Sequence, residues 1–214
     1  MGLKVYDIDP ADTDADGLAD GNDSSVTSIT IDGALASGGS FTSADGLAHR
    51  LIITDAGGHD QRTATYTITG TNSNGDALTE SLAGPNSSSS VETTEYFLTV
   101  TSITIASPTA SSTVDIGTVD EFMSPVYLLN WRSSEAATVA ILGSSGTYQV
   151  DIQETFGDIY NDGIAATNWV DKHADKSADL AGSLTLFATA VRVKSDSYTN
   201  GAEFQFHINQ LEYS

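Results

Sequence analysis

Thr63–Gly70 reads TATYTITG, and behind it come Thr71-Asn-Ser-Asn-Gly-Asp76 and then Ala77–Leu82, ALTESL. In the first stretch Ala64, Tyr66 and Ile68 alternate with Thr65, Thr67 and Thr69. A period of two puts the apolar side chains on one face and the hydroxyls on the other, which is the pattern of a half-buried strand. The middle stretch consists of residues that tolerate the positive φ of a tight turn. ALTESL then reads as the returning strand. Together the three pieces predict an antiparallel hairpin with one face in a core.

Outward from the hairpin the same grammar repeats. Towards the N-terminus, Val26–Ile31 (VTSITI) and Ala48–Thr54 (AHRLIIT) are rich in β-branched residues. On the other side lie Glu95–Ile105 (EYFLTVTSITI), the longest such run, and Ser112–Gly117 (STVDIG). No 3.6-residue period interrupts them. Past Asp120–Pro125 the series resumes with Val126–Asn130, Ala137–Leu142, Tyr148–Phe156, Leu184–Val193 and Ala202–Leu211. Lys194–Gly201 (KSDSYTNG) reads as a hairpin loop, and Ala165–Leu180 as a short helix. The aromatic side chains, among them Trp131, Phe156, Trp169, Phe187, Phe204 and Phe206, fall in or beside these runs and are expected in the core. Short strands at regular spacing predict an all-β chain of the antiparallel β-sandwich class, jelly-roll or immunoglobulin-like. Its expected parts are an acidic N-terminal arm at 1–25, a first β-sandwich domain at 26–120 and a second at 121–214.

Composition narrows the function. The chain has 214 residues, 39% of them apolar, with 29 acids against 8 bases and a formal net charge of −21. So negative a field repels phosphate backbones, so no nucleic-acid partner is expected. No apolar run approaches the length that spans a bilayer, so no membrane insertion is expected either. The start, MGLKVYDIDP, lacks the charged-then-apolar layout of a secretory signal. There is no Cys, which excludes disulfides, thiolate nucleophiles and thiolate zinc sites. Of the acids, 21 are Asp and 8 are Glu, and Asp belongs to turns and strand ends where Glu belongs to helices.

Seven of those Asp lie within residues 1–25, where large apolar groups are few. Such a segment cannot bury enough surface to fold by itself. Within it, Asp12-Thr-Asp14-Ala-Asp16-Gly-Leu18-Ala-Asp20-Gly-Asn-Asp23 spells D-x-D-x-D-G-x-x-D-x-x-D. Hard cations take six to eight oxygens, and alternate carboxylates in a turning loop can converge on one point. Asp12, Asp14, Asp16, Asp20 and Asp23, with the backbone carbonyl of Leu18, are therefore candidate calcium ligands. The spacing is similar to the calcium-binding Asp repeats of thrombospondin type 3 and dockerin-like segments. It departs from an EF-hand in having Asp23 where the bidentate Glu stands and in lacking flanking amphipathic helices. No catalytic constellation stands out. The four His have no metal-ligand spacing, and Gly143-Ser-Ser-Gly146 is not a nucleophile elbow. His59-Asp60 could be joined to a Ser, but 26 Ser and 21 Asp make such pairings commonplace.

Several phrases carry a resemblance. Ile29-Thr-Ile-Asp-Gly-Ala-Leu-Ala-Ser-Gly-Gly39, Arg50-Leu-Ile-Ile-Thr-Asp-Ala-Gly57, the hairpin from Thr67 to Asn86, and Phe97-Leu-Thr-Val-Thr-Ser-Ile-Thr-Ile105 look like β-rich structural proteins of tailed viruses. Val150-Asp-Ile-Gln-Glu-Thr-Phe156, Trp169, Ala190-Val-Arg-Val193 and the closing β run fit the same picture, so the resemblance covers residues 26–214. It implies a non-enzymatic virion structural protein, made in the host cytoplasm and placed in the virion, most simply a capsid decoration or cement protein. The implied partners are the major capsid protein or other virion proteins, with assembly as a homo-oligomer, trimer or dimer. The family carries over no active-site residues. Other expected roles are a tail or head–tail connector protein and a calcium-dependent carbohydrate-binding or adhesion module using Trp131 or Trp169. A glycosidase ranks lowest, since no carboxylate pair stands out.

Overall fold

The computed structural model describes residues 2–109, 111–133, 135–159 and 168–210. Among these residues all regular structure is β and there is no helix. The strands are β1 (Gly2–Ile8), β2 (Ala19–Asp23), β3 (Ser28–Ile29), β4 (Ala36–Ser37), β5 (Ser40–Thr42), β6 (Ala48–Asp55), β7 (Thr65–Thr71), β8 (Ala77–Ala83) and β9 (Ser90–Glu92). They continue as β10 (Thr99–Ala106), β11 (Thr113–Met123), β12 (Tyr127–Leu128), β13 (Thr138–Ser145), β14 (Tyr148–Thr155), β15 (Trp169–Lys176), β16 (Leu180–Ser183), β17 (Ala190–Tyr198) and β18 (Glu203–Gln210). The chain forms two compact units, Thr13–Asp120 and Met1–Asp12 with Glu121–Ser214.

In the unit Thr13–Asp120, β7 and β8 make the hairpin expected over Thr63–Leu82, in register from Thr65↔Ala83 to Thr71↔Ala77. Its turn closes with the Asn72 N–H donating to the Asp76 carbonyl at 2.9 Å, and Gly75 supplies the left-handed φ of 84°. The hairpin belongs to a sheet ordered β4-β5-β10-β7-β8, with β3 added to β10. The β11 residues up to Asp120 pair with β6 and β2, and β6 pairs with β9. Tyr66, Ile68, Val100 and Ile103 from the first sheet meet Leu51, Ile53, Val114 and Ile116 from the second in one buried cluster. This is a sandwich core, with the alternation of each strand deciding what points inward. On the outer face of the first sheet the alternate positions are hydroxyls. Thr67 bonds Ser81 and Thr71 bonds Thr99, each at 2.8 Å.

The second unit repeats the architecture. One sheet runs β1-β18-β13-β16. Facing it are β15, β14 and β17, with β12 and the end of β11 added to β17. Phe204 and Phe206 of β18 are fully buried with Val150 and Ile152 of β14 and Phe122 of β11. The Phe204 ring centroid lies 4.7 Å from that of Tyr148 and 6.4 Å from that of Phe122.

Three expectations are corrected. The acidic arm expected at 1–25 is packed over its described residues, 2–25, because β1 pairs along its whole length with β18 and β2 pairs with β11. A strand needs only its inward residues to be apolar, and Ile8, Leu18 and Ala19 meet that need, at 3%, 0% and 0% exposure. The remaining cost of ordering is met by backbone ladders. The stretch 168–180 of the expected helix Ala165–Leu180 is extended instead, with β15 pairing β14 and β16 pairing β13; residues 165–167 lie outside the described ones. Trp169 and Val170 pair with Thr155 and Glu154, so a waiting ladder outweighs a weak helical preference. The strand expected at Leu184–Val193 is displaced to β17, Ala190–Tyr198, where Ser195 and Tyr198 are buried although the run KSDSY reads as a loop.

Candidate functional site

The Asp-rich loop does not converge. Asp12 belongs to the unit with residues 121–214, where its Oδ1 accepts the Gly201 N–H at 3.0 Å. Asp14 is fixed by its backbone: its carbonyl accepts from the Thr118 N–H at 2.8 Å and its N–H donates to Thr118 Oγ1 at 3.2 Å. Its carboxyl shares a hydrogen bond with Asp16, and that bond, with burial and the charges of Asp16 and Asp20, raises its pKa. The Leu18 side chain is buried in the core, and its carbonyl accepts the Gly33 N–H at 3.0 Å. Asp20 is exposed. Asp23 turns its Oδ1 to the Ser25 N–H at 2.8 Å, a contact that, with the Ser25 and Ser111 hydroxyls, lowers its pKa. Of the six candidate ligands, the structure brings the side chains of Asp14 and Asp16 together. Among the described residues, this loop contributes no group of three carboxylates within 4.8 Å of one another.

What shapes the loop is close packing. The Leu18 N–H donates to Ile116 at 2.9 Å and the Leu35 N–H to Gly17 at 2.7 Å. Gly117 lies so near that a Cβ there would sit 1.9 Å from the Asp14 carbonyl oxygen.

Three carboxylates do converge elsewhere. Asp151 on β14, Asp175 on β15 and Asp196 on β17 each place an oxygen within 4.8 Å of the others. The cluster holds its own cation. Lys194 Nζ lies 2.7 Å from Asp196 Oδ1 and 3.9 Å from Asp151 Oδ2, and the Asp175 N–H donates to Asp151 Oδ1 at 2.9 Å. Burial raises the Asp151 pKa, and the charges of Asp196 and Asp171 add to it. Burial by itself would lower Lys194, but the hydrogen bond and charge of Asp196, with the charges of Asp151 and Glu121, outweigh it and raise its pKa. Alongside runs a second row. Gln153 donates to Asp171 Oδ1 and accepts from Arg192 Nε, both at 2.7 Å, and the Arg192 guanidinium sits 4.2 Å over the Trp169 ring. Sequence reading missed these rows. The signal was the polar residue at alternate places in apolar runs, Asp151 and Gln153 in β14, Arg192, Lys194 and Asp196 in β17.

The other feature is apolar. Trp131, Phe156 and Phe187 were expected in the core and are exposed by 44%, 49% and 60%. Each lies at or beyond a strand end, where period-two alternation no longer forces a side chain inward. Trp131 and Phe156 line an open cleft of about 590 Å³ with Arg132, Asp158, Ile159 and Thr189. The Arg132 guanidinium lies 4.8 Å over the Trp131 ring. Ile159 is buried, and Thr189 Oγ1 is committed to the Thr155 and Gly157 carbonyls at 3.0 and 2.9 Å. The cleft presents the Arg132 guanidinium and an aromatic wall, which suits contact by shape and stacking.

Two histidines, His49 and His207, are engaged by neighbouring side chains. His49 is buried with Nε2 2.9 Å from Asp45 Oδ2, while Ser43 and Leu47 bond the other oxygen of the same carboxylate. The carboxylate thus stands between hydroxyl and imidazole, the reverse of the order in which a His activates a Ser. Asp60 is gripped by Arg62 at 2.7 and 2.9 Å, which holds its pKa down at about 2. His207 bonds Gln205 at 3.1 Å, and burial lowers the His173 pKa. No protein-family profile matches the chain, and no curated protein matches it.

Proposed function

We propose that this chain is a non-enzymatic structural protein of a tailed-virus particle, a decoration protein that binds the shell exterior. The observation that carries the reading is the placement of exposed apolar side chains. Of ten large hydrophobic residues exposed among the described ones, nine belong to the unit with residues 1–12 and 121–214, and Val26 alone belongs to the other. A surface with that bias is suited to protein contact on one unit and to solvent on the other. The docking unit offers Trp131 and Phe156 on the open cleft and also exposes Leu128 and Phe187, while Thr13–Asp120 presents hydroxyl ladders. Mass spectrometry of purified particles, with copy number, tests this. Hundreds of copies per particle are expected, falling sharply for Trp131→Ser with Phe156→Ser. A handful of copies would move the chain to the tail or connector, and absence from every particle would end the viral reading.

A second reading, a carbohydrate-binding module, rests on the same cleft. An exposed Trp and Phe beside an Arg form the kind of wall on which a sugar ring stacks. A glycan array with and without chelator separates it from the first. Binding abolished by Trp131→Ala would support it, and a blank array would dismiss it.

A further inference from the structure

We propose that two copies of this chain join edge to edge through β1, antiparallel, about a two-fold axis at Val5. The inference stands apart from any virion role, since it rests on the strand alone. β1 is the outermost strand of the sheet β1-β18-β13-β16. Its register with β18 runs unbroken from Gly2↔Gln210 to Ile8↔Phe204. One side of its backbone is used by β18. Among the described residues, no hydrogen bond covers the other side.

Open edges invite a further strand, and proteins ordinarily guard them by brevity, bulges or charge. Among the described residues, the other strands that end the three sheet orders are guarded. β4, β9 and β16 are only 2, 3 and 4 residues long. β15 breaks register twice against β14 and carries Asp171, Lys172, Asp175 and Lys176. β8 carries Glu80, whose carboxylate is bonded to the Thr94 and Glu95 N–H groups at 2.9 and 3.0 Å. β1 has seven residues, no bulge and no proline, and it turns Leu3 and Val5 to solvent at 59% and 44% exposure.

Charge selects the occupant. In a chain of net charge −21, most surfaces of two copies repel. β1 carries one Lys and one Asp, Lys4 and Asp7, and is neutral. It is also its own complement. A symmetric pairing that keeps the buried face continuous across both copies must be centred on a residue, since a one-residue slip reverses every side chain. Centred on Lys4, it sets two ammonium groups opposite each other, which is destabilising. Centred on Tyr6, it sets Lys4 opposite the inward Ile8. Centred on Val5, it sets Val5 opposite Val5, Leu3 opposite Asp7 and Lys4 opposite Tyr6. Leu3 of each copy then lies diagonal to Val5 of the other, and the four side chains form one apolar strip.

The chain has no Cys, so a single introduced thiol reports the register directly. Under mild oxidation Val5→Cys is expected to give a covalent dimer. Leu3→Cys and Asp7→Cys are each expected to stay uncrosslinked alone but to crosslink when mixed. Sedimentation of the unmodified protein should give twice the monomer mass, and Val5→Lys, at an exposed site, should return it to monomer with its circular dichroism unchanged. A monomeric unmodified protein would overturn the proposal. So would a dimer that survives Val5→Lys, or Leu3→Cys crosslinking as readily as Val5→Cys.

Discussion

Phe204 shows what one side chain does here. It is fully buried, and its ring meets Tyr148 and Phe122, so both sheets of its unit close on it. Phe204→Ala removes the ring and leaves a cavity that neighbours fill only in part, at a cost of about 3–5 kcal/mol. Chemical denaturation measures it, and a loss below about 1 kcal/mol would mean that the core collapses freely around the gap. The alternation Phe204-Gln-Phe206-His-Ile208 made this residue's burial legible in the sequence. Trp131 and Trp169 were not separable in that way. Both stand beside apolar runs, yet Trp169 starts β15 under the Arg192 guanidinium while Trp131 stands by an open cleft. Which side of a strand end a ring takes depends on the neighbouring strand, and a neighbour is a tertiary fact.

At the scale of elements, the legible strands are those whose apolar residues recur at alternate places, such as β7, β6 and β18. The illegible ones are β1, β2 and β15, whose polar residues hide their inward partners. The candidate metal loop illustrates a related point. Spacing along a chain can bring carboxylates together only if the backbone turns around them, and here Leu18 anchors the backbone in the core instead. The carboxylates that do meet come from three strands with distant sequence positions. Two outcomes follow from this packing. Gly117→Ala drives a methyl group into the Asp14 carbonyl and should cost about 1–3 kcal/mol, read as a lower melting temperature. Lys194→Met leaves Asp151, Asp175 and Asp196 unbalanced. Because Lys194 is partly solvated, the loss at neutral pH should be about 1–2 kcal/mol. The sign with pH is fixed by Asp151. Its folded pKa is raised, so the folded state takes up its proton first, and stability is regained as pH falls through the carboxylate range. The gap between variant and parent should therefore narrow towards acid, and a gap that is constant in pH would refute the account.

For the whole molecule, buried tyrosines in both units bear on stability at alkaline pH. Burial pushes Tyr66 and Tyr127 from 10.0 up to about 12, the nearby Asp55 charge adding to Tyr66. A raised folded pKa gives stability that is complete below the unfolded value and is lost as pH rises through the folded one. Both units should thus weaken between pH 10 and about 12. Thermal melts across that range check it, and Tyr66→Phe should flatten the fall in the unit Thr13–Asp120. The same acidic chain should hold its fold in concentrated salt, which screens its self-repulsion.

The chain crosses between the two units at Asp12–Thr13 and again at Asp120–Glu121, inside β11. Thr13–Asp120 is therefore a guest inserted into its host, tethered at both ends. A single nick by a protease at either crossing leaves guest and host covalently joined, and release takes two cuts. Grafting works the other way: a foreign domain whose termini lie close together can replace Thr13–Asp120 without altering the sequence of the host unit, residues 1–12 and 121–214.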